Sequence, residues 1–168
     1  TSVFDNQEIK QAMWINSLHP AMGLGAFSAI DLEKALAGRV ASVAANLGQE
    51  AEVIQGSCSP RDLRTMLQLC SLHFAEQRVD TAAFQSFRTR TRAMLENQSV
   101  NPNNAFSDTL QTTLYAHSPR IVITQPWMMD SLQLSSVKEM YERRFDHADG
   151  FTFYLVGNLS GGSIAPMV

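Results

Sequence analysis

Apolar side chains recur at Ile9, Ala12, Met13 and Leu18, a spacing that predicts a helix over residues 6–18, closed by Pro20. Residues 22–27 then form a glycine-containing loop. Ser28 stands where an N-cap belongs, with Asp31 at the third helical position, so a short helix ending near Gly38 is expected. Between Val40 and Cys58 the period drops to two. Val40, Ser42, Ala44 and Asn46 alternate with Ala41, Val43 and Ala45, and a second run follows from Ala51 to Gly56. This predicts a hairpin turning at Asn46-Leu47-Gly48.

Ser59-Pro60-Arg61-Asp62 carries the clearest helix start: a capping hydroxyl, a proline at the first position and an acid at the positive end of the dipole. Leu63, Met66, Leu67, Cys70 and Phe74 mark the expected inner face. A further helix from Thr81 places Phe84, Phe87, Met94 and Leu95 in register, and Asn101-Pro102-Asn103 opens another through Phe106, Leu110 and Leu114 to about Ala116. His117-Ser118-Pro119 breaks it, and a connecting segment runs on to Asp130. Ser136 and Glu139 have capping-box spacing, ahead of an inner face of Val137, Met140, Tyr141 and Phe145. The near-continuous apolar run at residues 151–156 predicts a central strand buried on both faces. Helices outnumber strands, which gives an α+β class: a small, mostly antiparallel sheet packed against several helices.

Composition narrows this picture. The 168 residues suit one domain, and 45% hydrophobic with 17% charged residues excludes intrinsic disorder. The net charge of −3 supplies no electrostatic ground for a nucleic-acid or anionic-membrane partner. No apolar run approaches the roughly 20 residues that span a bilayer, and no signal-peptide pattern is present. The chain opens on Thr1 and closes on Ala165-Pro166-Met167-Val168, and both ends are expected to be cut points. Cys70 is expected as a buried free thiol; a disulfide with Cys58 is left open.

Candidate chemistry is sparse. The four histidines, His19, His73, His117 and His147, include no pair at helical spacing. His73-Phe74-Ala75-Glu76-Gln77 follows a zinc-peptidase helix motif for four residues, then has Gln77 where a second histidine is needed. The expectation there is the polar edge of an amphipathic helix. Gly56-Ser57-Cys58-Ser59 holds nucleophile types, but Ser59 is better used as a cap, and whether His117 and Asp130 reach a serine is a matter of tertiary structure. Gly23-Leu24-Gly25 before a helix has the outline of a phosphate cradle without a preceding strand or a following Lys-Ser/Thr. Arg88, Arg90 and Arg92 lie on one helix that offers no outward stacking platform, so a solvated basic face is expected. No residue is assigned a catalytic, cofactor-binding or metal role.

Four segments resemble the pitrilysin/insulinase family of zinc peptidases. They are GLGAFSAIDLEKALAGR at residues 23–39, GSCSPRDLRTMLQL at residues 56–69, the helix opened by Asn101-Pro102, and RFDHADGFTFYLVGN at residues 144–158. The last is the most specific, and the order and spacing of all four cover residues 5–158. The resemblance implies an α+β domain of the LuxS/mitochondrial-processing-peptidase-like metallohydrolase fold. In that family, two halves enclose a chamber, and zinc sits on an inverted His-x-x-Glu-His helix in the N-terminal half. The corresponding first helix here, residues 8–19, lacks the motif. The family's Arg and Tyr substrate-binding residues lie beyond the position that Asn158 marks.

The resemblance therefore implies a single, truncated, non-catalytic domain spanning residues 1–168. It would shape the substrate chamber of a bacterial zinc metalloendopeptidase, with no cofactor of its own and zinc held by the parent's catalytic domain. Its partners would be the other domains of that peptidase and its peptide substrate, in the periplasm or cell envelope. A protein-binding or assembly module on the same fold is the alternative. A full domain opens with strands that residues 1–5 leave no room for, so an exposed sheet edge is expected, able to pair with a second copy or a neighbouring domain.

Overall fold

The computed structural model describes residues 8–48, 50–75 and 78–158. The first apolar row folds as two helices, α1 (Ile9–Ala12) and α2 (Ile15–Met22), not as one. Pro20 lies inside α2 instead of closing it. The missing N–H costs one intrahelical bond, yet Ile15, Leu18, His19 and Met22 are all buried, and their packing holds the last turn down. The stop is Gly23, whose φ of 95° no other residue adopts cheaply. A tight reversal follows, in which Leu24 and Phe27 exchange backbone hydrogen bonds. Ser28 then caps α3 (Ala29–Ala35) as expected: its Oγ accepts the Asp31 N–H at 3.1 Å and donates to the Asp31 carboxylate at 2.6 Å.

The hairpin forms from β1 (Ala41–Leu47) and β2 (Glu52–Cys58), antiparallel, in register from Ala41↔Cys58 to Leu47↔Glu52. The reversal comes after Leu47, later than the predicted turn, because Asn46 and Leu47 stay in the ladder. Tertiary contact holds them there. Leu47 is buried, its N–H donates to Asn16 Oδ1 at 2.8 Å, and Asn16 Nδ2 donates to its carbonyl at 3.1 Å. The α2 amide thus satisfies backbone groups that face away from β2 and blunts that end of the edge. Replacing Asn16 with alanine orphans both groups and is expected to cost about 1–3 kcal/mol, read as a lower urea midpoint at unchanged slope.

Asp62 joins the hairpin to the next helix. Its carboxylate accepts from Val40 N–H at 3.0 Å, Ser59 Oγ at 2.6 Å and Arg61 Nε at 3.4 Å. The Ser59 hydroxyl is therefore spent on Asp62 and does not cap the backbone, and a 3-10 turn at Pro60–Asp62 precedes α4 (Leu63–His73). Of the predicted inner row on α4 only Leu63 is fully buried; Leu69 and His73 join it. The face is rotated because α4 lies under β1 and β2, where Met66 fills the space beside Gly56.

Asp80 caps α5 (Thr81–Ser99), which buries Phe84, Phe87, Thr91 and Leu95 and leaves the predicted Met94 exposed. Asn101 caps α6 (Pro102–Leu114), and Ala116 and His117, both left-handed, end it. The connecting segment contains a helix that the pattern did not show, α7 (Met128–Ser131), with Met128 and Met129 buried. Next, α8 (Leu134–Phe145) begins ahead of Ser136, so that serine lies inside the helix and no capping box forms. Its inner face of Val137, Met140, Tyr141 and Phe145 is buried as predicted.

Residues 151–156 are not a strand. A strand buried on both faces needs sheet neighbours and two covering layers. Among the described residues the sheet has two strands, and its inner face is taken by α4 and α2. Phe151 turns instead onto Phe74 and Phe145, at ring distances of 5.1 and 5.9 Å, while Tyr154 and Val156 are 86% and 97% exposed. The result is an α+β fold of eight helices and one two-stranded antiparallel sheet among the described residues. Its core centres on Ile15, Leu18, Met22, Met129, Val137 and Phe145.

Candidate functional site

Three ionisable rings meet in the interior. His19 comes from α2, His73 from the end of α4 and Tyr141 from α8, all buried. The spacing of the apolar rows delivers them there. His19 shares its face of α2 with Ile15 and Met22, and His73 lies one turn beyond Leu69. His19 stacks on Tyr141 at 4.2 Å and 12° and on His73 at 5.3 Å and 27°. His73 Nδ1 lies 2.9 Å from the Tyr141 hydroxyl, while its Nε2 is buried without a hydrogen bond. His73 is thus a core residue and not the polar edge expected from its motif.

Burial disfavours charge on every member. It lowers His19 from 6.5 to about 4, with the neighbouring His73 adding to the shift. Burial also lowers His73, partly offset by the nearby Val43 backbone. Burial raises the Tyr141 hydroxyl. At neutral pH the cluster is therefore two neutral imidazoles and a phenol. The pairing of His19 with His73 spans 54 positions and left no mark at helical spacing; the available signal was that each histidine falls within an apolar row.

The other candidates disperse. Among the described residues no group of three or more His, Cys, Asp or Glu side chains is placed to hold a metal. Glu76 and Gln77 of the partial motif lie outside the described residues. The hydroxyls of Ser57 and Ser59 are engaged by Ser42 and Asp62. His117 is exposed beyond α6, and Asp130 pairs with Arg92. Cys58 and Cys70 are free thiols; Cys70 is half-buried, which raises its pKa. The Gly23–Gly25 turn leads into a seven-residue helix whose cap is filled by Ser28.

The basic helix face is only partly solvated. Arg88 Nε donates to the Met129 carbonyl at 2.7 Å with its guanidinium over the Phe84 ring, and Arg92 pairs with Glu96 and Asp130. These contacts fasten α5 to α7. A cleft of about 380 Å3 between α5 and α6 is lined by polar groups including Gln98, Asn104, Asp108 and Gln125, and holds no histidine or cysteine.

The surface of α6 runs against the usual pattern. Asn104, Asp108 and Thr112 face the body of the protein, while Phe106, Leu110 and Leu114 are 69%, 45% and 70% exposed. The row expected to face the core thus points outward. Phe153, Tyr154, Leu155 and Val156 add a second exposed apolar stretch. Scattered apolar side chains need no explanation, but a full helical row does. No helix among the described residues is long and apolar enough to cross a membrane. No family model matches the chain, and neither a curated protein nor a solved structure matches it.

Proposed function

We propose that the chain is a non-catalytic domain of a pitrilysin/insulinase-type zinc peptidase, with a LuxS/mitochondrial-processing-peptidase-like fold, that docks against neighbouring domains to shape a substrate chamber. The observation that carries the docking role is the outward apolar row of α6, continued in kind by residues 153–156. The family reading is supported by the ordered motifs at residues 23–39, 56–69 and 144–158. The inactive role is supported by His73, whose ring is committed to Tyr141 in the core. On this reading zinc belongs to another domain of the parent, peptide is the parent's substrate, and the setting is the periplasm or cell envelope. An assembly module without peptidase partners is the second reading, favoured by the same α6 surface.

The test pairs chemistry with docking. The purified chain is expected to bind zinc well below one equivalent and to leave an unstructured reporter peptide intact; stoichiometric zinc with cleavage overturns the proposal. A domain carrying the inverted His-x-x-Glu-His motif is expected in the same gene or its neighbour. Binding to it should weaken at least about tenfold in Phe106→Lys/Leu114→Lys, with an unchanged thermal midpoint. Association only with domains that lack the motif would select the assembly reading.

A further inference from the structure

We propose that His19, His73 and Tyr141 form an acid-operated latch that holds α8 and the following residues 146–153 against α2 and α4. Each helix contributes one ring to the buried stack, so it ties together three elements that are far apart in sequence. The same junction seats Phe74, at the end of α4, edge-on to Phe151 and Phe153. Opening the stack therefore frees the segment beyond α8 as well. The inference does not depend on the peptidase reading.

The latch is held shut by neutrality. The Nδ1–Tyr141 contact serves either neutral tautomer of His73, and in both of them Nε2 is buried without a hydrogen-bond partner. A second proton makes both ring nitrogens donors, so Nδ1 can only donate to the hydroxyl and a charged Nε2–H is left buried without an acceptor. Charging His19 as well sets two cations about one ring-stack apart, at 5.3 Å. The groups acting on the two histidines are each other, Tyr141 and the Val43 backbone of β1; no carboxylate is among them. Among the described residues only the Val43 backbone works against this penalty, and it offsets it in part.

The sign follows from which state takes the proton first. His19 titrates near 6.5 in the unfolded or opened chain and at about 4 in the closed one. The closed form keeps its full advantage above pH 6.5. That advantage falls about tenfold per unit as pH drops from 6.5 towards 4, and the decline levels off below 4. The carboxylates of Asp62 and Asp80, both lowered from 3.8 by their hydrogen bonds, weaken the fold only at more acid pH. The Glu8–Arg143 and Glu52–Arg144 pairs also hold α8, and because neither histidine variant touches them, the variants isolate the histidine response.

Hydrogen exchange read by mass spectrometry at pH 7 and 4.5, corrected for intrinsic rates, tests the latch on the intact chain. Opening of α8 and the C-terminal half of α4 is expected to rise roughly a hundredfold, while α5 stays protected. His19→Phe keeps an aromatic ring in the stack and should flatten the response; His73→Asn keeps a partner for the Tyr141 hydroxyl and should reduce it, because it removes the neighbour that adds to the His19 shift. Three results would overturn the proposal: equal opening in wild type and both variants, simultaneous loss of protection in all helices, or no loss until carboxylates titrate.

Discussion

Phe145→Ala is expected to destabilise the protein by about 3–5 kcal/mol, the largest effect of any single truncation here. The ring is 1% exposed at the last turn of α8. It packs on Tyr141 at 4.6 Å and on Phe151 at 5.9 Å, and so joins α8 to the chain that follows it. Alanine removes the buried ring area and leaves a cavity between groups already fixed by other contacts. Tyr141 is held by His73 and His19, and Phe151 by Phe74, so neither is free to collapse into the gap. A loss of this size is a large part of the 5–15 kcal/mol that stabilises an ordinary domain. Urea unfolding followed by circular dichroism measures it. Phe106→Ala, at an exposed site of the same residue type, should change stability by no more than about 0.5 kcal/mol. Equal effects at the two positions would contradict the assignment of α6 to the surface.

Gly23→Ala is the second large effect, expected at about 3 kcal/mol or more. Two costs coincide at this residue. Its φ of 95° is unfavourable for any side chain, and an added Cβ would stand 2.2 Å from the Phe27 carbonyl oxygen. The obstacle is backbone, held by the paired hydrogen bonds of Leu24 and Phe27, and cannot swing aside. Gly38 separates the two costs. Its φ is 78°, but nothing lies within 4 Å of the Cβ position. Gly38→Ala should therefore show strain alone, about 1–2 kcal/mol. The difference between the two variants in thermal or urea unfolding reports the steric part. Similar losses at both glycines would mean that the 22–27 turn opens to relieve the clash.

Neither effect could be ranked from the chain alone, although both residues were visible in it. Phe145 belonged to a clean helical row, and the loop at residues 22–27 was legible from its glycines. The partners that make the substitutions costly, Phe151 and the Phe27 carbonyl, are set by how the segments fold back. The histidine cluster was less legible still, because it joins positions 19, 73 and 141 through three separate helices.

Local chemistry was enough to establish the α+β class, the α8 inner face, the two strands of the hairpin, the cap at Ser28 and the helix start at Asn101. Each rests on interactions between residues close in sequence, which periodicity and capping describe directly. Tertiary packing decided the rest. Buried contacts carried α2 through Pro20, and Asn16 kept Leu47 in the ladder. Residues 151–156 had the composition of a central strand but no strand beside them among the described residues, and α6 turned its apolar row outward. An apolar pattern states which surface favours burial; it does not supply the neighbour that buries it, because that neighbour comes from distant chain.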